Sequence, residues 1–209
     1  MDRRTFVGGL TALGVYSSLQ TPQKIITPSQ VEGPFYPYDE PSIIDTDLVR
    51  LRAGDAQALG QVVHLFGTAR TWDGNPIANL RVDLWQCDAN GRYHHPLDKE
   101  ARPLDPRFQG YGRARTDRNG QFQFRTIKPV SYSMGQTTRT PHIHLAAFDS
   151  RNNVRRLTTQ LYIAGEPLND TDQELSKLLR RQREALIRPW TNGDSIELGA
   201  LQARYDLVI

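Results

Sequence analysis

Two histidines in the middle of the chain have the spacing of a metal-binding pair. His142 and His144 are separated by one residue, and on a β-strand residues two apart point to the same face. Both imidazoles can then reach one metal ion. Two polar residues on a solvated strand face would show the same pattern, so the pair by itself leaves the question of a metal site open.

The other histidines and the single cysteine are weaker candidates for chemistry. His94 and His95 are interpreted as surface residues or as neighbours of a site, and His64 as a structural residue. Cys87 ends a strand-like run with no activating base beside it, and we predict a buried structural thiol. One cysteine also excludes an intramolecular disulfide.

The segments that must position these side chains have the pattern of short strands divided by turns. Before them, residues 21–40 contain four prolines, which predicts an arm without regular secondary structure. Leu80, Val82 and Leu84 alternate with polar residues, as in a half-buried strand. The strand candidates are residues 62–71, 80–84, 112–116, 121–127, 141–148, 157–163 and 204–209.

One helix is predicted in the C-terminal half of the chain. Residues 171–174 have the spacing of a capping box, and Pro189 ends the helical pattern. Between them, the apolar residues at near-helical intervals are Leu175, Leu178, Leu179 and Leu186. Together these patterns predict an all-β fold: a β-sandwich of mainly antiparallel strands with long loops and one short helix in the C-terminal half.

Length, composition and charge limit the classes of function. The 209 residues suit a single domain, and 38% hydrophobic and 23% charged residues are ordinary for a globular protein. The net charge is only +3 and no long run of Lys and Arg is present. The sequence therefore gives no support for a nucleic-acid partner.

The N-terminus has features of an export signal. Residues 2–6 resemble the twin-arginine signal, and the apolar stretch that follows, residues 7–19, is too short for a convincing membrane span. We expect residues 1–22 to be this signal segment and residues 23–209 to form one domain, with no other membrane contact. The protein would then be periplasmic or extracellular, or cytoplasmic if residues 1–22 are only a basic tail.

Seven spaced motifs give the chain a resemblance to a known family. They are residues 32–37, 84–86, 91–93, 104–106, 124–129, 139–144 and 159–162. From about Thr27 to the C-terminus, the chain resembles the intradiol ring-cleavage dioxygenases, and most closely the β chain of the protocatechuate 3,4-dioxygenase branch.

This resemblance implies a non-haem Fe(III) cofactor. Tyr93 and Tyr132 match the axial and equatorial tyrosinate ligands of the family, and His142 and His144 match its equatorial and axial histidines. Phenolates are hard anionic donors, and two of them favour Fe(III) over Fe(II). The resemblance further implies a catalytic role for Tyr93, which would leave the iron and accept a substrate proton. Arg139 matches a catalytic arginine that stabilises carbanion character in the ring.

The resemblance also implies the reaction: both atoms of O2 enter a catechol-type aromatic, and its ring opens between the two hydroxyl-bearing carbons. Protocatechuate, which would give 3-carboxy-cis,cis-muconate, is the expected substrate. Catechol, hydroxyquinol or a substituted catechol stay open, because Met134 stands where this branch usually has a pocket tryptophan. The residues that match the family's substrate pocket are Gly33, Pro34, Tyr36, Trp85, Gln160 and Tyr162.

Gly33, Pro34 and Tyr36 match an arm that reaches the substrate site from a partner subunit in the protocatechuate enzymes. The resemblance therefore implies a homo- or hetero-oligomer.

Two other classes of protein fit parts of the sequence. A non-enzymatic β-sandwich binding module would have the same composition and strand pattern, but it would be free of iron and colourless. A zinc hydrolase could use the two-histidine pair with a third histidine or a carboxylate. His64, His94 or His95 could supply that third ligand, and the two tyrosines would then have no role.

Overall fold

The computed structural model describes residues 25–39, 41 and 44–209. The expected signal segment, residues 1–22, lies outside the described residues. Within the described part, no helix combines the length and the apolar character that a membrane span requires. The elements are β1 (Val62–Arg70), β2 (Arg81–Trp85), β3 (Tyr111–Arg115), β4 (Gln121–Ile127), β5 (Tyr132–Met134), β6 (Thr137–Arg139), β7 (His142–Phe148), β8 (Arg155–Ile163), a 3-10 helix (Pro167–Asp170), α1 (Gln173–Ser176), α2 (Arg180–Leu186), β9 (Ile187–Arg188), β10 (Trp190–Asn192), β11 (Leu201–Arg204) and β12 (Leu207–Val208).

Two five-stranded sheets form the body of the fold. One has the order β10-β11-β1-β12, with β4 also paired to β1, and the other has the order β3-β2-β7-β8-β9. Most pairs are antiparallel, as predicted, whereas β1 runs parallel to β11 and β12, and β8 runs parallel to β9. Val63 and Leu65 of one sheet share the main core with Leu84 and Leu145 of the other. This arrangement confirms the predicted all-β sandwich.

The sheet β3-β2-β7-β8-β9, called the site sheet below, is buried on both faces along β7. Ile143 and Leu145 belong to the main core, whereas Ala146 and Phe148 belong to a second apolar cluster on the outer face. Since alternate residues of a strand share a face, the polar end of β7 also projects toward this outer face. The candidate metal ligands therefore lie outside the sandwich core.

The N-terminal arm, residues 25–39, runs along the edge of this outer face. It has no helix or strand, as predicted, and hydrogen bonds to β8 hold it in place. Gln30 N donates to Thr158 O at 2.8 Å, and Gln160 Nε2 donates to Val31 O at 3.0 Å. The arm is thereby fixed close to the polar end of β7.

The prediction of one helix after residue 171 is wrong. The structure has two short helices, because the chain leaves the helical conformation at Leu179, whose φ of −62° and ψ of 151° are extended. At the break, Leu179 is 73% exposed, and its backbone N–H donates to Gln182 Oε1 at 2.9 Å. The N-cap of α1 is Asp172 and not Thr171, since the Asp172 side chain accepts from the first backbone N–H groups.

A small hairpin stands where the sequence predicted a loop. β5 and β6 pair antiparallel, with Tyr132 opposite Arg139 and Met134 opposite Thr137. Gly135 makes the turn with a φ of 60°, which L residues rarely adopt. Strands of three residues give too little periodicity to be recognised in a sequence. The hairpin fixes the position of Tyr132 relative to Arg139.

Candidate metal centre

The two histidines of β7 lie side by side on the outer face of the site sheet. His142 is 1% exposed and His144 is 2% exposed, so the alternative of a solvated strand face is wrong. Their Nε2 atoms are 3.1 Å apart, and their ring centroids are 4.8 Å apart. The predicted common direction of the two imidazoles is confirmed.

Hydrogen bonding and stacking fix both imidazole rings. His142 Nδ1 lies 2.6 Å from Thr140 O, and because a carbonyl only accepts, Nδ1 carries the proton. Nε2 of His142 then carries a lone pair, which faces Nε2 of His144. The His144 ring stacks on Trp85, with 4.9 Å between centroids and 10° between ring planes. A lone pair on a fixed ring is what a metal ligand requires.

The structure brings both tyrosines to this pair. The Tyr93 ring lies 6.2 Å from the His144 ring, the Tyr132 ring lies 5.6 Å from the His142 ring, and the two phenols are 5.3 Å apart. Tyr93 comes from the loop after β2, where its backbone N–H donates to Asp98 Oδ2 at 2.7 Å. Tyr132 opens the hairpin β5–β6. Three separate elements therefore converge on one buried point.

Two polar atoms of this cluster are buried without a hydrogen bond within the described part of the chain. The hydroxyl of Tyr93 and Nδ1 of His144 are buried and have no hydrogen-bond partner among the described residues. Burial raises the pKa of Tyr132 to about 12 and that of Tyr93 well above its usual value. Burial, together with the nearby charge of Arg139, lowers the pKa of His142 to about 3.

The His144 pKa is also well below its usual value, because of burial first and then the neighbouring His142. Two phenols and two neutral imidazoles form a suitable site for a cation. A bound cation would in turn favour the phenolate forms of the tyrosines. Hard oxygen donors together with imidazoles fit Fe(III).

Arg139 stands next to the four candidate ligands and is only 8% exposed. Its Nε donates to Asp172 Oδ2 at 2.8 Å and its Nη2 donates to Gln160 Oε1 at 2.6 Å. Burial opposes the charged form of Arg139, but the hydrogen bonding and charge of Asp172 outweigh this effect and raise the Arg139 pKa. A fixed positive charge is thus present beside Tyr132, its cross-strand partner. The capping-box pattern placed Asp172 in a helix start, and nothing in that pattern predicted its contact with Arg139.

The predicted substrate residues fall into two groups. Gly33 of the arm lies at the metal centre, where a Cβ added to it would be 3.5 Å from Cε1 of His144, and Pro34 is exposed beside it. Gln160 and Tyr162 of β8 are fully buried, and the Tyr162 hydroxyl donates to Gln160 Oε1 at 3.1 Å. These four residues lie along one side of the four candidate ligands, and the arm belongs to the same chain as the ligands.

Trp85 and Tyr36 lie on the other side of the cluster. Trp85 is 1% exposed and supports His144, while the Tyr36 ring meets it edge-on at 4.9 Å. The Tyr36 hydroxyl donates to Asp83 Oδ2 at 2.7 Å, a carboxylate that also accepts from Arg81. Tyr36 therefore anchors the arm, with its hydroxyl engaged away from the metal centre.

An aromatic cavity of about 330 Å³ lies beside Tyr93. Phe35, which was not among the predicted site residues, stacks on Tyr93 with 4.4 Å between ring centroids. The walls of the cavity include Phe35, Pro37, Trp85, Tyr93, Pro96 and Tyr111. Flat apolar walls next to candidate ligands are suited to an aromatic molecule.

His64 and Cys87 have structural surroundings, whereas His94 and His95 line the aromatic cavity beside Tyr93. His64 lies on β1, outside the site sheet, and its Nε2 is 3.0 Å from Glu197 Oε2. The His95 ring packs against the Tyr38 ring, with 4.9 Å between ring centroids. In residues 25–39, 41 and 44–209, no group of three or more His, Cys, Asp or Glu side chains could hold a metal ion. The zinc hydrolase alternative therefore lacks its third ligand within that part of the chain. Cys87 is fully buried, and burial raises its pKa to about 12, as predicted for a structural thiol.

Comparisons with known proteins found several relatives of this chain. A family model described as Dioxygenase matches residues 31–209. The chain is 34% identical over 180 residues to the protocatechuate 3,4-dioxygenase β chain of Burkholderia cepacia, which covers 85% of this chain and 76% of that protein. It is also 34% identical over 155 residues to catechol 1,2-dioxygenase 2 of Acinetobacter lwoffii, which covers 68% of this chain. The chain spans 52% of the length of that second relative.

A solved structure shares the fold along nearly its whole length. It is the dioxygenase domain of a dioxygenase carbohydrate-binding protein fusion from the cellulolytic bacterium Streptomyces sp. SirexAA-E. The match has a TM-score of 0.67 and 28% sequence identity, and it covers 88% of this chain and 98% of that domain.

Proposed function

The chain belongs to the intradiol ring-cleavage dioxygenase family, and we propose that it uses O2 and a non-haem Fe(III) to cleave the ring of a catechol-type aromatic between its two hydroxyl-bearing carbons. The proposed iron ligands are Tyr93, Tyr132, His142 and His144. The observation that supports this most is the convergence of two buried phenols with two neutral imidazoles. A non-catalytic binding module would have no need for two phenols and two imidazoles buried together.

Each group near the centre has a role that follows from its surroundings. Fe(III), when bound, would orient the diol and draw electron density from its ring as a Lewis acid. His142 and His144 offer neutral nitrogen donors, and the bond from His142 Nδ1 to Thr140 O keeps the Nε2 lone pair free. Arg139 supplies a fixed positive charge that stabilises negative charge developing on the substrate ring.

The two tyrosines are held unequally, which bears on the proton that the substrate must lose. Tyr93 is clamped by stacking on Phe35 and by its backbone bond to Asp98. Tyr132 belongs to a two-stranded hairpin whose next residue, Ser133, is exposed. Stacking holds the Tyr93 ring at the site, and its buried hydroxyl has no hydrogen-bond partner among the described residues, so we propose that Tyr93 accepts the substrate proton.

Protocatechuate is the proposed substrate, with 3-carboxy-cis,cis-muconate as the product. The similarity to a protocatechuate 3,4-dioxygenase β chain supports it, while the equal identity to a catechol 1,2-dioxygenase keeps catechol as the second candidate. Met134, two residues after Tyr132 on the hairpin, is 45% exposed. We further propose a homo- or hetero-oligomer, which light scattering of the purified protein tests.

The visible spectrum of iron-loaded protein tests the proposed function. Two tyrosinates on Fe(III) give a strong red-brown charge-transfer band, which should shift to longer wavelength when protocatechuate is added without oxygen. Admission of O2 should then give the ring-opened product, identified by mass spectrometry. Bound iron without such a band would refute the ligand set, and a shift with catechol alone would move the substrate to catechol.

We also propose export by the twin-arginine route, on the sequence of residues 2–6 and the apolar stretch after it. Cell fractionation of the full chain and of the R3K/R4K variant tests this. Export of the wild type alone supports the proposal, whereas equal distribution of both proteins would refute it.

A further inference from the structure

A buried carboxylate outside the proposed ligand set makes more hydrogen bonds than its position at a helix start requires. The side chain of Asp172 is fully buried and lies at the N-cap of α1. Oδ1 accepts from Glu174 N at 3.0 Å and from Leu175 N at 2.9 Å, which completes the cap. Oδ2 takes no part in the cap and accepts instead from Arg139 and Thr140.

This second oxygen clamps the arginine of the site. Arg139 Nε donates to Asp172 Oδ2 at 2.8 Å, and Arg139 Nη2 lies 3.4 Å from Oδ1. Nη2 also donates to Gln160 Oε1 at 2.6 Å. With two of its three nitrogens fixed, the guanidinium plane has one orientation, and Nη1 is the nitrogen that makes no hydrogen bond to the described residues.

The same oxygen also holds the backbone that sets the state of His142. Asp172 Oδ2 accepts from Thr140 N at 3.0 Å. Thr140 O in turn accepts from His142 Nδ1 at 2.6 Å, which keeps His142 Nε2 unprotonated. The Thr140 hydroxyl donates to Asn169 Oδ1 at 2.8 Å, so residue 140 is held from both sides.

We propose that Asp172 is a positioning residue of the metal centre: one carboxylate oxygen aligns the Arg139 guanidinium and, through Thr140, the imidazole of His142. This inference rests on the proposed function for its catalytic consequence, but the alignment itself does not depend on iron. Charged hydrogen bonds in a buried site are strong and directional, so loss of the carboxylate misplaces Arg139 although both residues remain far from solvent.

The two roles of the side chain can be separated by substitution. Asn and Ser both cap helices well, so Asp172→Asn and Asp172→Ser keep α1 while removing the negative oxygen from Arg139. The matched control is Gln182→Ala, which removes a helix-cap bond of 2.9 Å to Leu179 N in α2, outside the centre. It reports what the loss of a cap alone does to the enzyme.

Steady-state kinetics of the iron-loaded variants give the first readout. We expect D172N and D172S to lower kcat about 100-fold, the effect of a misplaced catalytic group, with KM changed less than about 3-fold. In the double variant D172N/R139Q, the loss in kcat should be clearly smaller than the product of the two single losses, because the carboxylate acts in part through the arginine. Equal kcat in D172N and Q182A, or additive losses in the double variant, would overturn the proposal.

A readout without iron separates this proposal from the proposed function. In 15N NMR spectra of the metal-free protein, the Arg139 Nε–H signal should be protected from exchange in the wild type and in Q182A, and lost or shifted in D172N. An unchanged signal in D172N would overturn the positioning role even in an active enzyme. A wild type that cleaves no catechol but shows the expected change would refute the function and keep the alignment.

Discussion

Trp85 packs flat against His144: the indole and the imidazole are stacked with 10° between their planes and 4.9 Å between their centroids. They are also cross-strand partners, one on β2 and the other on β7. The indole thereby limits rotation of an imidazole whose Nδ1 has no hydrogen-bond partner among the described residues. Packing on Trp85 thus fixes the His144 ring, as the hydrogen bond to Thr140 O fixes the His142 ring.

Trp85→Ala should therefore weaken iron binding as well as stability. Loss of a buried Trp side chain costs about 3–5 kcal/mol of the free energy of unfolding, and the freed imidazole should lower iron affinity at least about 10-fold. Trp85→Phe, which keeps a ring against His144, should recover most of both. Urea unfolding and iron competition with a chelator measure the two effects.

The control is Trp190→Ala, on the other sheet, where the indole N–H donates to the Tyr205 hydroxyl at 3.0 Å. It should lose stability without a matching loss of iron affinity per folded molecule. Equal iron affinities in W85A and W190A would contradict a supporting role for Trp85.

Each of the two site tyrosines should be needed for the full visible band. Tyr93→Phe and Tyr132→Phe remove one phenolate each, so each should weaken the charge-transfer band of the Fe(III) protein, and the double variant should be colourless. Absorption spectra at equal iron content measure this. Tyr111→Phe serves as the control, because Tyr111 is buried on the same face and its hydroxyl accepts from Arg113 Nη2 at 2.8 Å. A full band in the double variant would exclude both tyrosines as ligands.

Gly33→Ala should disturb the metal centre beyond its backbone strain. Gly33 has a φ of 72°, which costs an alanine about 1 kcal/mol, and the new methyl would lie 3.5 Å from His144 Cε1. Gly54→Ala has the same kind of strain, at a φ of 89°, with nothing within 4 Å of the added Cβ. Both variants should lose similar stability, but only G33A should change the affinity for catechol measured without oxygen. Equal catechol affinities would show that the arm does not line the site.

Glu197 should contribute stability that disappears in acid. Hydrogen bonds from Arg125, at 2.7 and 2.8 Å, lower the Glu197 pKa from 4.5 to about 2. A lowered carboxyl pKa stabilises the folded state above the unfolded pKa, and this contribution is lost as pH falls through the folded pKa. Glu197→Gln should therefore be less stable than the wild type at pH 7, and the difference should shrink below pH 4.5 and vanish near pH 2.

Urea unfolding of both proteins across this pH range measures the difference. Glu184→Gln is the control, since Glu184 is exposed and lies 3.7 Å from Arg180, a surface pair that contributes little. A difference between wild type and E197Q that is constant from pH 7 to pH 2 would contradict the assignment.

The sequence alone determined the fold class, the family and the common direction of His142 and His144. The family follows from the resemblance of the seven motifs, whereas the other two depend on local spacing. Period-two alternation predicts strands, and residues two apart on a strand share a face whatever surrounds them. The strand β4 was predicted with its correct ends, because the turn before it and the alternation of Phe122 and Phe124 are both local.

The tertiary structure decided which distant residues meet. Arg139 and Asp172 are 33 residues apart, and nothing in the pattern near either residue indicates their ion pair. The pairing of Tyr132 with Arg139 depends on a hairpin of two three-residue strands, too short to show a period. Across the break between α1 and α2, Leu175 and Leu186 both pack on Tyr162 of the site sheet. Local periodicity reports only on neighbours along the chain. These contacts are fixed by the packing of whole elements against one another, which places the charge of Arg139 and the ring of Trp85 at the centre.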